Sequence, residues 1–184
     1  MFERFTKDAR AVVEGAVGHA ERVGAGRVEE EHVLLALLDR EGSRGSFALG
    51  ALGLSGERRA DVARELDAVR RRGGLSRAEE EALSGLGIDL AAVVSRVEET
   101  HGEGALGDGR GRWSGRRPFG KGARELLTQT LRIALAHRDR SIGDEHLLLA
   151  LVARPGVPAE VLADHGVTYE AVERVLYGGA AQAG

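Results

Sequence analysis

The amino-acid sequence predicts an all-α protein built from two tandem four-helix repeats related by a pseudo-two-fold axis, with a helical insert in the first repeat. Three observations carry that prediction. Ala, Val, Leu, Arg and Glu dominate the 184 residues and only 4% are aromatic, which favours helix over strand. Apolar residues recur with helical spacing in segment after segment. Sliding the chain against itself by 114 residues also aligns Phe5 to Leu38 with Phe119 to Val152 without a gap. Over those 34 positions 11 residues are identical, where chance gives roughly two. Six more exchange one aliphatic for another, among them Val12/Leu126, Val13/Leu127, Val17/Leu131 and Val28/Ile142.

In the first repeat Ala9, Val12, Val13, Ala16, Val17, Ala20 and Val23 fall on one face of a helix, and Thr6 is suited to cap its start. A turn over Gly24 to Gly26 ends it. EEEHVLLALLDR follows as a short, nearly continuously apolar helix with an acidic first turn, as the helix dipole prefers. A third helix is expected over Ser46 to Leu52, stopped by Gly53. The second repeat places counterparts over Lys121 to His137, Glu145 to Ala153 and Pro158 to Asp164. Leu49 and Gly53 match Leu162 and Gly166 once one loop residue is dropped. Thr168 caps a last helix through Tyr177.

Two segments compete to be the fourth helix of repeat one: Leu54 to Arg72, and Ile88 to Thr100. DLAAVVSRV resembles TYEAVERVL in pattern, so Ile88 to Thr100 is assigned and about 33 residues become an insert, expected to add two helices broken at Gly73 and Gly74. The organisation is then repeat one over 1–100 with its insert at about 55–87, a flexible Gly/Arg-rich linker over 101–118, repeat two over 119–178 and a disordered tail over 179–184.

Composition also excludes. There is no cysteine, hence no disulfide, thiol nucleophile or zinc–thiolate site. Nothing calls for a cofactor or a metal. No window approaches the ~20 apolar residues of a spanning helix and the start has no apolar leader, so a cytoplasmic protein without a membrane partner is expected. A net charge of −3 provides no global basic field for nucleic acid. Gly115 to Gly122, GRRPFGKG, superficially fits phosphate-loop spacing, but Gly122 stands where a magnesium-binding hydroxyl is needed and no strand precedes it.

MFERFT…AR, EHVLLALL, PFGKGARELL and GDEHLLLAL, in that order and duplicated, resemble the N-terminal repeat domain of the Clp unfoldases, in a free-standing form without the ATPase. The resemblance implies a double four-helix repeat that captures clients, adaptors and cyclic peptides, with Clp unfoldase or protease components as partners. It further implies phosphoarginine recognition by the Glu that opens the second helix of each repeat, here Glu31 and Glu145, with Asp144 and His146 beside the latter. A carboxylate there can grip a guanidinium while free helix N–H groups accept phosphate. The family's usual Gly-Thr before that Glu is Glu29-Glu30 in repeat one and Gly143-Asp144 in repeat two, and an added carboxylate repels a phosphate dianion. Phe2, Phe5, Arg10, Val13, Phe119 and Arg124 match a family peptide-binding patch, while Glu14, Val17 and Thr128 depart from it. Phe5 and Phe119, being repeat-equivalent, also suit core anchors.

The leading reading is therefore a non-enzymatic protein- or peptide-binding module tied to Clp proteolysis, as adaptor, regulator or decoy. One alternative is a small enzyme using Glu31, His32, Glu145 and His146, which requires those four to converge. The bland reading of the histidines is a local cap or packing role. Another is a regulatory nucleic-acid contact through Arg110, Arg112, Arg116 and Arg117 around Trp113, although such basic loops are usually just solvated.

Overall fold

The computed structural model describes residues 2–102, 106 and 117–178. Among them there are ten α-helices and no strand. A short 3-10 turn, Phe2–Arg4, precedes α1 (Lys7–Arg22), α2 (Glu30–Leu38) and α3 (Arg44–Ala51). Next come α4 (Glu57–Arg71), α5 (Arg77–Gly85) and α6 (Leu90–His101). The second half holds α7 (Lys121–Ala136), α8 (Asp144–Ala153), α9 (Val157–Asp164) and α10 (Tyr169–Tyr177).

Local chemistry sets these ends. The Thr6 hydroxyl accepts the Ala9 N–H at 3.1 Å and the Thr168 hydroxyl that of Ala171 at 3.3 Å, as expected of N-caps. Ser43 caps α3 in the same way, and the helix begins at Arg44, two residues before the start the sequence suggested. Gly53 and Gly166 take the left-handed conformation (φ 82° and 81°), so that the next N–H, of Leu54 and Val167, turns back to the carbonyls of Leu49 and Leu162. The turn after the first helix is likewise shared: Gly24 has φ 69°, and its equivalent, Arg138, has φ 59°.

The two repeats are interlaced rather than juxtaposed. The segment entering each one pairs with the loop between the first two helices of the other: Phe5 with Ile142, and Val28 with Phe119. The bonds come in matching sets, Thr6 N–H to Ile142 O (2.9 Å) and Ile142 N–H to Arg4 O (2.8 Å), then Gly120 N–H to Val28 O and Val28 N–H to Pro118 O (both 2.9 Å). Each member of one set lies 114 positions from its counterpart, which is the sequence shift itself. The third helix of each repeat also packs across, α3 on α8 and α9 on α2. Burial follows this plan: every residue from Asp144 to Leu151 is buried, because α8 is covered by α3, α7, α9 and α10. Leu34, Leu37, Leu49, Leu126, Leu147, Leu148, Leu149 and Leu162 are fully enclosed.

The fourth helix of repeat one differs from the assignment made on sequence. In repeat two, α10 closes the fold by packing on α3 and α8; the mirrored place, against α9 and α2, is taken by α4. Leu54, Val62, Leu66 and Val69 are buried there, whereas α6 buries only Leu90 and packs mainly on α5. The additional pair in repeat one is therefore α5 and α6, and the helix placed inside the insert at 55–87 belongs to the bundle. Beside the narrow apolar stripe of α4, the Arg59 guanidinium donates to the carbonyls of Leu38, Arg40, Ser46 and Leu54 and so ties the helix to the corner it covers. No single helix among the described residues is long and apolar enough to cross a membrane.

Candidate functional site

The two Glu-His pairs sit at the starts of α2 and α8, and the histidines serve those helix starts. His32 Nδ1 accepts the Glu29 N–H and His146 Nδ1 that of Gly143, both at 2.9 Å. A neutral His146 must therefore carry its proton on Nε2, which lies 2.9 Å from Asp139 Oδ2 and 3.1 Å from the Tyr177 hydroxyl. The Tyr177 hydroxyl donates to the same Asp139 oxygen at 3.0 Å. Burial alone would raise the Asp139 carboxyl, but the hydrogen bonds from His146 and Tyr177 outweigh it and hold the group below its ordinary range. Burial, with Asp139 alongside, pushes the Tyr177 hydroxyl far up.

Glu145 lies beside this network with its side chain 6% exposed. Its carboxylate folds back over Gly143, at a point that a Cβ on residue 143 would overlap. Burial raises its pKa, against the lowering effects of its own backbone N–H, His146 and Arg44, and Asp144 raises it further. The Arg44 guanidinium, from the start of α3, donates to Glu145 Oε1 at 3.0 Å and lies 5.6 Å from the Tyr177 ring centroid. The opposite charge that Glu145 meets is thus supplied from the other repeat. Tyr177 in turn stacks on His137 with centroids 3.9 Å apart.

Asp144 is the first residue of α8, with Gly143 in the capping position. It is 2% exposed and points across the repeat boundary. Its Oδ2 accepts from the Ser43 hydroxyl at 2.5 Å and from the Gly45 N–H at 3.2 Å, so the carboxylate occupies the N-terminus of α3. Gly45 has room for no side chain: a Cβ there would lie 2.6 Å from that oxygen.

Repeat one is plainer. Glu31, equivalent to Glu145, is partly exposed. Ala25 stands where repeat two has Asp139, and Val157 opens α9 where Arg44 opens α3. The Glu29 carboxylate lies over Gly120, the N-cap of α7. Glu30 accepts from Arg154 Nε at 2.8 Å, and Arg154 also donates to Glu125 at 2.9 Å. Among the described residues no group of three or more His, Asp or Glu side chains is placed to hold a metal ion.

A separate groove of about 770 Å³ runs along α1, lined by Val13, Val17, Pro118 and Phe119 with Arg10, Arg117, Glu3 and Glu14 around it. It unites three of the residues singled out on sequence: Arg10, Val13 and Phe119. Phe5 is 4% exposed and belongs to the core, as its repeat-equivalence suggested, so it offers no surface there. Arg124 is exposed on α7 outside the lining. Phe2 opens the first turn, and its side chain lies outside the described residues.

Residues 118–182 match the family model of the Clp repeat (R) N-terminal domain. The chain has the fold of a Clp N-terminal domain. Solved structures of the same shape include the N-terminal domain of the caseinolytic protease associated chaperone ClpD from Arabidopsis thaliana, with a TM-score of 0.55 at 18% identity over 98% of this chain and 97% of that one. The Hsp104 N-terminal domain from Candida albicans gives a TM-score of 0.53 at 15% identity, covering 97% and 93%. A chain from structural work on a malarial protein secretion system gives 0.64 at 12% identity, covering 98% and 97%. At these identities the likeness speaks for the fold.

Within this fold, Arg44, Asp139 and Tyr177 are site residues that the sequence did not reveal. Arg44 and Tyr177 are remote from Glu145 along the chain, Asp139 stands in the loop just before α8, and only Tyr177 carried a hint, as the last apolar residue of α10. The basic linker residues Arg110, Arg112, Arg116 and Trp113 lie outside the described residues, and Arg117 borders the groove.

Proposed function

We propose that this Clp N-terminal domain captures client or adaptor segments on behalf of a Clp unfoldase, by way of the groove along α1. The observation that supports the reading is the groove's make-up: an apolar floor of Val13, Val17, Pro118 and Phe119 between two arginines and two glutamates. Such a trough suits an extended segment of a few residues with one large apolar anchor and flanking charges, because the anchor provides affinity and the rim provides register. The setting is the cytoplasm, where such a domain serves as adaptor, regulator or decoy. The test is fluorescence anisotropy with labelled client-derived peptides carrying a central Leu or Phe. Phe119→Ala is expected to weaken binding at least tenfold and Val13→Glu to abolish it. Unchanged affinity in both variants, with helix content intact, would remove the reading.

A second reading is favoured by Glu145, a nearly enclosed carboxylate that already holds a guanidinium. It takes the arginine side chain of a client at Glu145, with His146 and Asp144 around it and Glu31 as the repeat-one counterpart. In the form the family resemblance implies, that arginine is phosphorylated.

A further inference from the structure

Resting on the second reading, that Glu145 accepts a client guanidinium, we propose that Arg44 occupies this site in cis and that the site selects unmodified arginine over phosphoarginine. Two features of the geometry carry this. The first is that both halves of the site are already filled by the chain itself. Arg44 donates to Glu145 at 3.0 Å and lies 5.6 Å from the centroid of the Tyr177 ring, the pair of contacts an incoming arginine would need. The nearby anion seat at the start of α3, built from the Ser43 hydroxyl and the Gly45 N–H, is taken by the Asp144 carboxylate, 2% exposed. Arg44 and Asp144 together mimic, from opposite repeats, a cation and an anion set side by side. The Arg44 side chain is 53% exposed whereas that of Glu145 is 6% exposed, so the cation can swing into solvent while its acceptor stays fixed. Asp144, buried and doubly bonded, cannot leave so readily.

The second feature is the sign of the surrounding charge. Besides Glu145 and Asp144, Asp139 bonds to Tyr177. A cavity of about 390 Å³ beside that ring is lined by His137, Glu170, Glu173, Arg174 and Tyr177. A guanidinium gains from this field; a phosphate dianion carried on the same group meets carboxylates at short range and finds its donors engaged. Repeat one has no such arrangement, since Val157 and Ala25 replace Arg44 and Asp139. The device is thus confined to the Glu145 site. An internal ligand lowers the apparent affinity for an external one by the fraction of time the site stands open, so Arg44 sets the threshold for capture.

The test is a chemical-shift titration of the full chain with N-acetyl-arginine amide and, separately, with phosphoarginine. Wild type, Arg44→Met and Arg44→Met/Glu145→Gln are compared at low salt. Methionine keeps apolar bulk near Tyr177 without the charge, and Arg44→Gln serves if that variant loses helix. Arg44→Met is expected to bind the arginine amide at least fivefold more tightly than wild type, with shifts centred on Glu145 and Tyr177 and phosphoarginine binding more weakly. The gain should vanish in the double variant. Equal binding of the arginine amide by wild type and Arg44→Met overturns the gate while leaving a guanidinium at Glu145 standing. Tighter binding of phosphoarginine in Arg44→Met overturns the selectivity and upholds the phosphorylated form. No binding in any variant overturns both the gate and the second reading, and leaves the groove along α1 untouched.

Discussion

Asp144→Ala is expected to cost the protein a large share of its stability, because one carboxylate closes the N-terminus of a helix in the other repeat. Its Oδ2 takes the Ser43 hydroxyl at 2.5 Å and the Gly45 N–H at 3.2 Å, in surroundings where Asp144 is 2% exposed. Hydrogen bonds to a charged acceptor contribute about 1.5–3 kcal/mol each. Against this, alanine removes the cost of keeping a carboxylate out of water, while leaving two buried donors without an acceptor. The net loss should be about 2–4 kcal/mol. Asp144→Asn retains one acceptor oxygen and should lose about half as much. Ser43 also caps α3, so Ser43→Ala alone is destabilising, and the double variant should show a coupling of about 1 kcal/mol or more. Urea unfolding followed by far-ultraviolet circular dichroism gives all four values. Asp144→Ala within about 0.5 kcal/mol of wild type, or a coupling near zero, would refute the idea that this contact ties the repeats together.

Two further outcomes follow from the same geometry. Because burial raises the Glu145 carboxyl, the folded chain binds that proton more tightly than the unfolded one. Wild type should therefore gain stability relative to Glu145→Gln as the pH falls from neutral through the folded pKa, and the difference should stop changing below the unfolded value near 4.5; denaturant midpoints at pH 7.5 and pH 5 that move the other way would contradict this. Arg138 stands in the left-handed conformation that its equivalent Gly24 adopts freely, so Arg138→Gly should stabilise by about 0.5–1 kcal/mol in thermal unfolding. A loss would mean that the Arg138 side chain contributes more than its backbone costs.

What the sequence by itself determined is the set of features that depend on near neighbours and on the duplication. Thr6 and Thr168 are recognisable as caps, Gly53 and Gly166 as helix stops, and the apolar faces of α1 and α7 as buried stripes, because hydroxyl placement, left-handed glycines and a 3.6-residue period are local properties. The shift of 114 residues likewise announced two copies of one unit, and the groove residues Arg10, Val13 and Phe119 are among those the family resemblance implied. Tertiary structure decided where the copies meet. Whether α4 or α6 closes repeat one depended on which helix finds α9 and α2 to pack against, and two amphipathic segments of similar pattern look alike until a partner buries one of them. The same holds for the Glu145 site. Arg44, 101 positions away, reaches it only because the repeats interlace, with each third helix laid on the other's second. Side-chain chemistry proposes a guanidinium for a buried carboxylate, and only the crossing of the two repeats determines which guanidinium arrives.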